Sequence, residues 1–328
     1  MNSNVLVLGG TGFVGRSVCE ALFASTGGAG GTGGEIVVPS RQPARAKHLQ
    51  MLPTLRLAQA DVHDEAQLRR LLAGCDAVVN LVAILHGDAA AFERTHVELP
   101  RKLVRACVAA GVRRVVHVSA LGVGDTAHPA PSRYLRSKAA GEAVLVAAAT
   151  AGQIDLTVLR PSVIFGAHDA FLNLFARLQS VFPVMPLAGA EARFQPVWVG
   201  DVAAAIARCL ADPTTSLHTY ECAGPEVFTL RQLVEAAGRW SGHVRPVIGL
   251  PAALGRAQAM LMEWLPGTPL MSRDNLDSMR EPNVASGRLA GLAALGIAPA
   301  ALESVAPGYL GPGRGEARLD RWRAGPGF

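Results

Sequence analysis

Tyr134 and Lys138 stand four residues apart in Tyr134-Leu135-Arg136-Ser137-Lys138. That spacing puts a phenol and an ammonium on one face of a helix. A phenol with an ordinary pKa of about 10 trades protons poorly at neutral pH. A lysine cation beside it stabilises the phenolate, so the pair suits acid/base work during hydride transfer to a carbonyl. A second group lies far upstream, where Gly9, Gly12 and Gly15 recur at every third residue. Gly9 suits a tight turn off a strand, Gly12 lets backbone N–H groups approach a pyrophosphate, and Gly15 lets a helix lie close to a sheet. Thr11, Phe13 and Val14 complete this candidate diphosphate cradle.

Both groups need elements to hold them. Val5 to Leu8 reads as a buried parallel strand and Arg16 to Ala24 as a helix turning Val18, Leu22 and Phe23 inward. Further strands at Glu35–Val38, Leu55–Ala58, Ala77–Val82, Arg113–Val118 and Leu156–Leu159 alternate with helices at 65–73, 100–110 and 133–149. Pro100 suits a first helical position and Gly111 a stop. This βαβ alternation predicts an α/β fold: a Rossmann-type doubly wound parallel sheet with ligands at the carboxyl ends of its strands. Ser119 falls at the end of the fifth strand, where its hydroxyl could orient a carbonyl.

The run Thr26 to Gly34 reads as a glycine-rich surface linker, which lengthens the usual interval from the glycines to the residue that reads the ribose. The second strand ends in Pro39-Ser40-Arg41, with no acid. An acid there would repel the additional phosphate of NADP(H), whereas Arg41 beside Ser40 would pair with it. NADP(H) is therefore the favoured cofactor and NAD(H) the second choice.

After Pro161 the pattern changes to helices near 171–181 and 230–240 joined by proline-rich segments. The expected division is a nucleotide-binding domain over 1–165, with 197–223 returning to it and Asp201 capping a helix there. A smaller irregular substrate or partner lobe follows over 166–196 and 224–310, and a basic Gly/Pro-rich tail over 311–328. His168, just after Phe165-Gly166, and Arg193 are candidate substrate contacts. The amphipathic stretch Leu254 to Leu265 reads as core of the small lobe, ahead of peripheral membrane docking.

With 328 residues, half of them apolar and 17% charged, the chain should form a compact globule. Its five cysteines are scattered without C-x-x-C spacing, which predicts neither a metal site nor a disulfide framework and fits a reducing compartment. The first strand begins close to Met1, so a cytoplasmic location is expected. The net charge of +5 is spread out apart from Arg314, Arg318, Arg321 and Arg323 around Trp322, a tail that reads as solvated or touching a partner rather than nucleic acid. No apolar run reaches the ~18 residues needed to span a bilayer.

The glycine spacing joins Asp61-Val62, Asn80-Leu81-Val82-Ala83, Val118-Ser119-Ala120-Leu121, Tyr134 to Lys138, Leu159 to Gly166 and Val199-Gly200-Asp201-Val202. Together these resemble the extended and atypical short-chain dehydrogenase/reductases, the NAD-dependent epimerase/dehydratase superfamily, over nearly the whole chain. Tyr134 to Glu142, Phe171 to Phe175 and Arg193 to Val197 are similar to bacterial relatives of the dehydrogenase-like accessory subunit nine of mitochondrial complex I. The resemblance implies Asp61 and Val62 near the adenine, Leu81, Val82 and Ala83 along the nucleotide, and Lys138 on the nicotinamide ribose. It also implies Pro161, Val163 and Ile164 flanking the nicotinamide, with Tyr134 catalytic. One departure is that the family's usual serine or threonine after the fifth strand is replaced if Leu121, rather than Ser119, holds the working position. Two functions follow: an oxidoreductase on a carbonyl or alcohol of a mainly apolar substrate, or a non-catalytic nucleotide-binding accessory protein of a respiratory or quinone-related assembly. The pyridine dinucleotide is common to both, and the small molecule or protein partner is unspecified.

Overall fold

The computed structural model describes residues 3–25, 34–123, 130–264 and 271–311. The linker expected over 26–34 and the basic tail over 311–328 lie outside the described residues except for Gly34 and Gly311, and Leu265 lies outside them too. The chain divides into two compact units. The first comprises Met1–Pro161, Gly200–Cys222 and Ser286–Ile297; the second, Ser162–Val199, Ala223–Ala285 and Ala298–Phe328.

In the first unit, β1 (Val5–Leu8) and β4 (Ala77–Asn80) are buried at every position, as unbroken apolar runs in a parallel sheet covered on both faces should be. They pair in register from Val5 with Ala77 to Leu8 with Asn80. Outward from β1 lie β2 (Ile36–Ser40) and β3 (Leu55–Gln59). Outward from β4 lie β5 (Arg114–Val118), β6 (Asp155–Pro161), Thr219–Cys222 and Ala290–Gly291. All eight strands run parallel to their neighbours. Strand order reverses between β1 and β4, which opens a crevice at their carboxyl ends.

The helices α1 (Phe13–Ser25), α2 (Glu65–Leu72), α3 (Ala89–Phe92), α4 (Leu99–Ala110) and α5 (Arg133–Thr150) belong to this unit. Leu68, Leu72, Leu99, Leu103 and Leu145 bury against Leu6, Leu8, Val78, Val115 and Leu156 of the sheet. Asp64 caps α2 by accepting from the Ala66 and Gln67 amides, and Ser132 caps α5 by accepting from Leu135. The helix expected to begin near Pro100 is α4, which begins at Leu99, but it continues without a break from α3. A π-helical turn, Glu93–Glu98, joins α3 to α4; Pro100 stands in the first turn of α4, which Gly111 ends at φ 71°.

The second unit holds three two-stranded pairings and the helices Leu172–Val181, Leu230–Ser241, Ala252–Trp264, Arg273–Ser278 and Leu302–Leu310. Phe165, Leu172, Phe175, Leu187, Leu230, Leu233 and Leu302 form its core.

Four sequence expectations need correction. Val197–Trp198 does not rejoin the large sheet, because its ladder is with Ile164–Phe165; the return begins at Gly200. Ala290–Gly291, expected in the small lobe, pairs with Thr219–Cys222 and so belongs to the first unit. Asp201 lies inside the first turn of Val199–Ala211 rather than capping it. The fourth concerns Ala252–Trp264, expected to be core. Only its small residues Gly255 and Ala259 are buried, while Leu261 is 64% and Trp264 78% exposed. Among the described residues no helix is long and apolar enough to cross a membrane.

Candidate functional site

The turn after β1 is built as the glycine spacing anticipated. Gly9 takes φ +81°, and a Cβ there would meet Leu81 and the Val82 nitrogen at 3.2–3.3 Å, so the turn lies against the segment leaving β4. A Cβ on Gly15 would stand 2.3 Å from the Gly9 carbonyl oxygen, which fixes α1 close to the turn. Gly12 is exposed and a Cβ there would meet only that same oxygen, at 3.3 Å. Gly12 thus leaves bare the surface over the first amides of α1, whose N–H groups have no partner one turn back. Thr11, Phe13 and Val14 line it half-buried.

The segment after β4 is pinned at alternate amides. Val82 N–H donates to Asn80 Oδ1 at 3.2 Å, and Asn80 Nδ2 donates in turn to His117 Nδ1 on β5 at 3.2 Å. Ile84 N–H donates to His96 Nε2 at 3.1 Å. Leu81 N–H returns to the Leu8 carbonyl at 3.0 Å. Leu81, Val82 and Ala83 are thus held beside Gly9 with their conformation fixed from behind by two buried imidazoles. Burial, then the nearby Lys138 charge, pushes His96 down to about 3 and His117 well below its ordinary value, so both rings are neutral. Asn80 and His96 were missed as site residues. Their signals were a polar residue ending an apolar strand and the recurrence Phe92, His96, Leu99, Leu103 along one helix face.

After β3, Asp61 Oδ1 accepts from His63 N–H at 3.0 Å and its own N–H donates to Gln67 at 2.9 Å, with Val62 half-buried beside it. Ser40 ends β2, and its hydroxyl accepts from Gln42 N–H at 3.1 Å. Arg41 is exposed and forms no salt bridge with a described carboxylate. Its charge, with Arg94 and Lys102, opposes protonation of His63, whose pKa burial already lowers. These three cations stand near His63 together with the Asp61 carboxylate, whose charge favours its protonation.

Tyr134 and Lys138 occupy successive turns of α5. Lys138 is 3% exposed and donates to the Val118 carbonyl at 2.7 Å, which brings the ammonium to the end of β5 beside Ser119. Burial pushes it down to about 8, against the opposing pull of Glu142. Glu142 is itself buried and paired with Arg160, whose Nε lies 3.1 Å from Oε2. Ser119 is 4% exposed and its hydroxyl has no hydrogen-bond partner among the described residues. Leu121 is buried, its N–H held by the Pro161 carbonyl at 2.9 Å. Tyr134 is half-buried between Phe92 and His96, and burial pushes its phenol up to about 12. The expected lowering of that phenol by Lys138 does not occur, because burial alone sets the direction.

The remaining candidates lie in the second unit. Val163 and Ile164 are half-buried; Asn283 Oδ1 accepts from Val163 N–H at 2.8 Å and from the Ser162 hydroxyl at 2.7 Å. His168 is exposed, on a turn organised by the buried Asp169 carboxylate, which accepts from Gly166, Phe171 and Asn173 amides and from the Tyr309 hydroxyl. Arg193 is exposed on a strand antiparallel to Phe228–Thr229.

A family model described as Epimerase, NAD dependent epimerase/dehydratase family, matches residues 5–223. The chain belongs to that family. It is 30% identical over 307 residues to the mitochondrial NADH dehydrogenase [ubiquinone] 1 alpha subcomplex subunit 9 of Mus musculus, covering 90% of this chain and 77% of that protein. It is 26% identical over 280 residues to the ceramide reductase of Caulobacter vibrioides, covering 84% and 83% of the two chains. Among solved structures it is similar to the dTDP-glucose 4,6-dehydratase DesIV of Streptomyces venezuelae, which was determined with NAD bound. The TM-score is 0.68 and the identity 25%, over 97% of this chain and 96% of that one.

Proposed function

We propose that this protein is an NADP(H)-dependent oxidoreductase acting on a carbonyl or alcohol of a mainly apolar substrate. The observation that carries the reading is the Ser119 hydroxyl, buried at the end of β5 without a partner, beside the buried Lys138 ammonium. An unpaired buried hydroxyl costs about 1–3 kcal/mol, a cost removed when a ligand oxygen supplies the missing partner.

The Gly9–Gly15 turn, Asp61, Val62 and Leu81 to Ala83 would hold the dinucleotide, with Ser40 and Arg41 on its adenosine phosphate, Lys138 on the second ribose and Pro161 by the ring. When bound, the nicotinamide supplies or accepts the hydride. Ser119 donates a hydrogen bond to the substrate oxygen and polarises the carbonyl. Tyr134, held protonated by a pKa of about 12, gives its phenolic proton to that oxygen as the alcohol forms, which favours the reductive direction. Lys138, pushed down to about 8 by burial, stabilises the phenolate left behind. The apolar character of the substrate is supported by the similarity to a ceramide reductase.

A second reading, a non-catalytic nucleotide-binding accessory protein, is favoured by the similarity to a complex I subunit and by the raised Tyr134 pKa. Bound nucleotide would then serve stability alone. Tyr134→Phe separates the two. The oxidoreductase reading expects turnover of an apolar ketone or alcohol to fall by about 10²–10⁴-fold with NADPH affinity retained. The accessory reading expects no turnover in either form and an unaltered phenotype.

A further inference from the structure

The π-helical turn Glu93–Glu98 is packed directly on α5. A Cβ on Gly141 would fall 1.7 Å from the His96 carbonyl oxygen, so the two backbones touch with no side chain between them. Turns of this kind cost hydrogen-bond geometry and recur where a side chain must be aimed. Here the aimed side chain is His96, 3% exposed.

Both ring nitrogens are used. Nε2 accepts from Ile84 N–H at 3.1 Å, which leaves the ring proton on Nδ1. Nδ1–H then donates to Ser137 Oγ at 2.7 Å, and the Ser137 hydroxyl donates to the Tyr134 carbonyl at 2.8 Å. The imidazole also meets the Tyr134 ring edge-on at 5.7 Å and 78°, with Phe92 at 6.4 Å on the same ring. Groups facing His96 include Lys138, whose charge together with burial keeps the imidazole neutral, so this arrangement of protons persists across the working pH range.

We propose that His96 is a positioning residue that couples the nucleotide-holding segment at 81–84 to Tyr134, through Ile84 on one side and Ser137 on the other. The inference rests on the reading of that segment as a dinucleotide site. A nucleotide lying along 81–84 would shift the Ile84 amide from its resting position, the imidazole bonded to it would follow, and Ser137 would pass the adjustment to the first turn of α5.

The probe is adenosine 2′,5′-bisphosphate, which carries no nicotinamide and so cannot touch the reactive end. Tyr134 is followed by fluorine NMR in protein labelled with 3-fluorotyrosine, its signal among the three tyrosines assigned by Tyr134→Phe. In the wild-type protein the bisphosphate should move the Tyr134 resonance. Ser137→Ala should bind it within about twofold of wild type but lose that response. His96→Phe, which keeps a ring and removes both hydrogen bonds, should lose the response and bind about tenfold more weakly, because the Ile84 amide is left unpaired. Thermal unfolding establishes that each variant is folded. A full Tyr134 response in folded Ser137→Ala or His96→Phe would overturn the proposal. If the wild-type protein binds neither the bisphosphate nor adenosine diphosphate, which lacks the 2′-phosphate, the dinucleotide reading fails and the coupling with it. Tyr134 resonances unmoved by either substitution in the free protein would then also rule out His96 as what positions the ring.

Discussion

The two ends of the crevice in the first unit are built on opposite principles. At the nucleotide end, main-chain groups are already paired: Leu81, Val82 and Ile84 amides each have a fixed acceptor, and Gly9 is pressed against them. At the other end the polar groups are buried at a cost, with Ser119 unpaired, Lys138 pushed down to about 8 and Tyr134 up to about 12. A site that only binds can be satisfied before its ligand arrives. A site that does chemistry holds groups away from their preferred protonation and partners, and fold stability supplies the difference.

Removing the phenol breaks the strained end outright. Tyr134→Phe should cost about 10²–10⁴-fold in turnover while leaving NADPH affinity unchanged by fluorescence titration. The paired end is broken instead by Gly15→Ala, whose new Cβ would meet backbone atoms at 2.3–2.6 Å that cannot swing aside. We expect about 1–3 kcal/mol lost in denaturant unfolding, with NADPH binding weakened at the same time.

Lys138→Met sharpens the contrast through pH. The folded state resists a proton that the unfolded chain accepts up to its ordinary value of 10.5, while the folded pKa is about 8. The penalty is therefore full below about 8, shrinks between 8 and 10.5, and vanishes above. Lys138→Met should gain about 1–2 kcal/mol at pH 7, less than the pKa alone implies because the Val118 carbonyl loses its donor, and the gain should disappear as pH rises through that window. A gain independent of pH would mean that desolvation of the ammonium is not its source. The smallest effect is expected at the exposed Arg41, where Arg41→Ala should weaken NADP(H) by about tenfold and NAD(H) hardly at all. Equal weakening of both would reject the phosphate assignment.

This division also explains what could be read without coordinates. The alternation of apolar strands and amphipathic helices, and glycine at 9, 12 and 15, are local patterns with direct steric causes, and they led to the parallel sheet and its first turn. The π turn at 93–98 was invisible because one extra residue leaves the apolar face of 92, 96, 99 and 103 intact, and Pro100 marked the start of α4 without showing the helical turns that precede it. His96 was hidden with it. Tyr134's raised pKa was missed because the helix pattern shows that a lysine stands one turn away but not how much water the packing of Phe92 and His96 removes. Ala252–Trp264 was misread because an apolar stripe does not say which side of it faces the core.

The central claim is that the turn at Gly9–Gly15 and the pinned segment at 81–84 receive a pyridine dinucleotide. Titrating the purified protein at low salt with NADPH and, separately, NADH, following the nicotinamide fluorescence, tests it directly. The account predicts saturable binding of both, tighter for NADPH, and sharply weakened by Gly15→Ala. Unsaturable signals with both nucleotides from folded wild-type protein would contradict it.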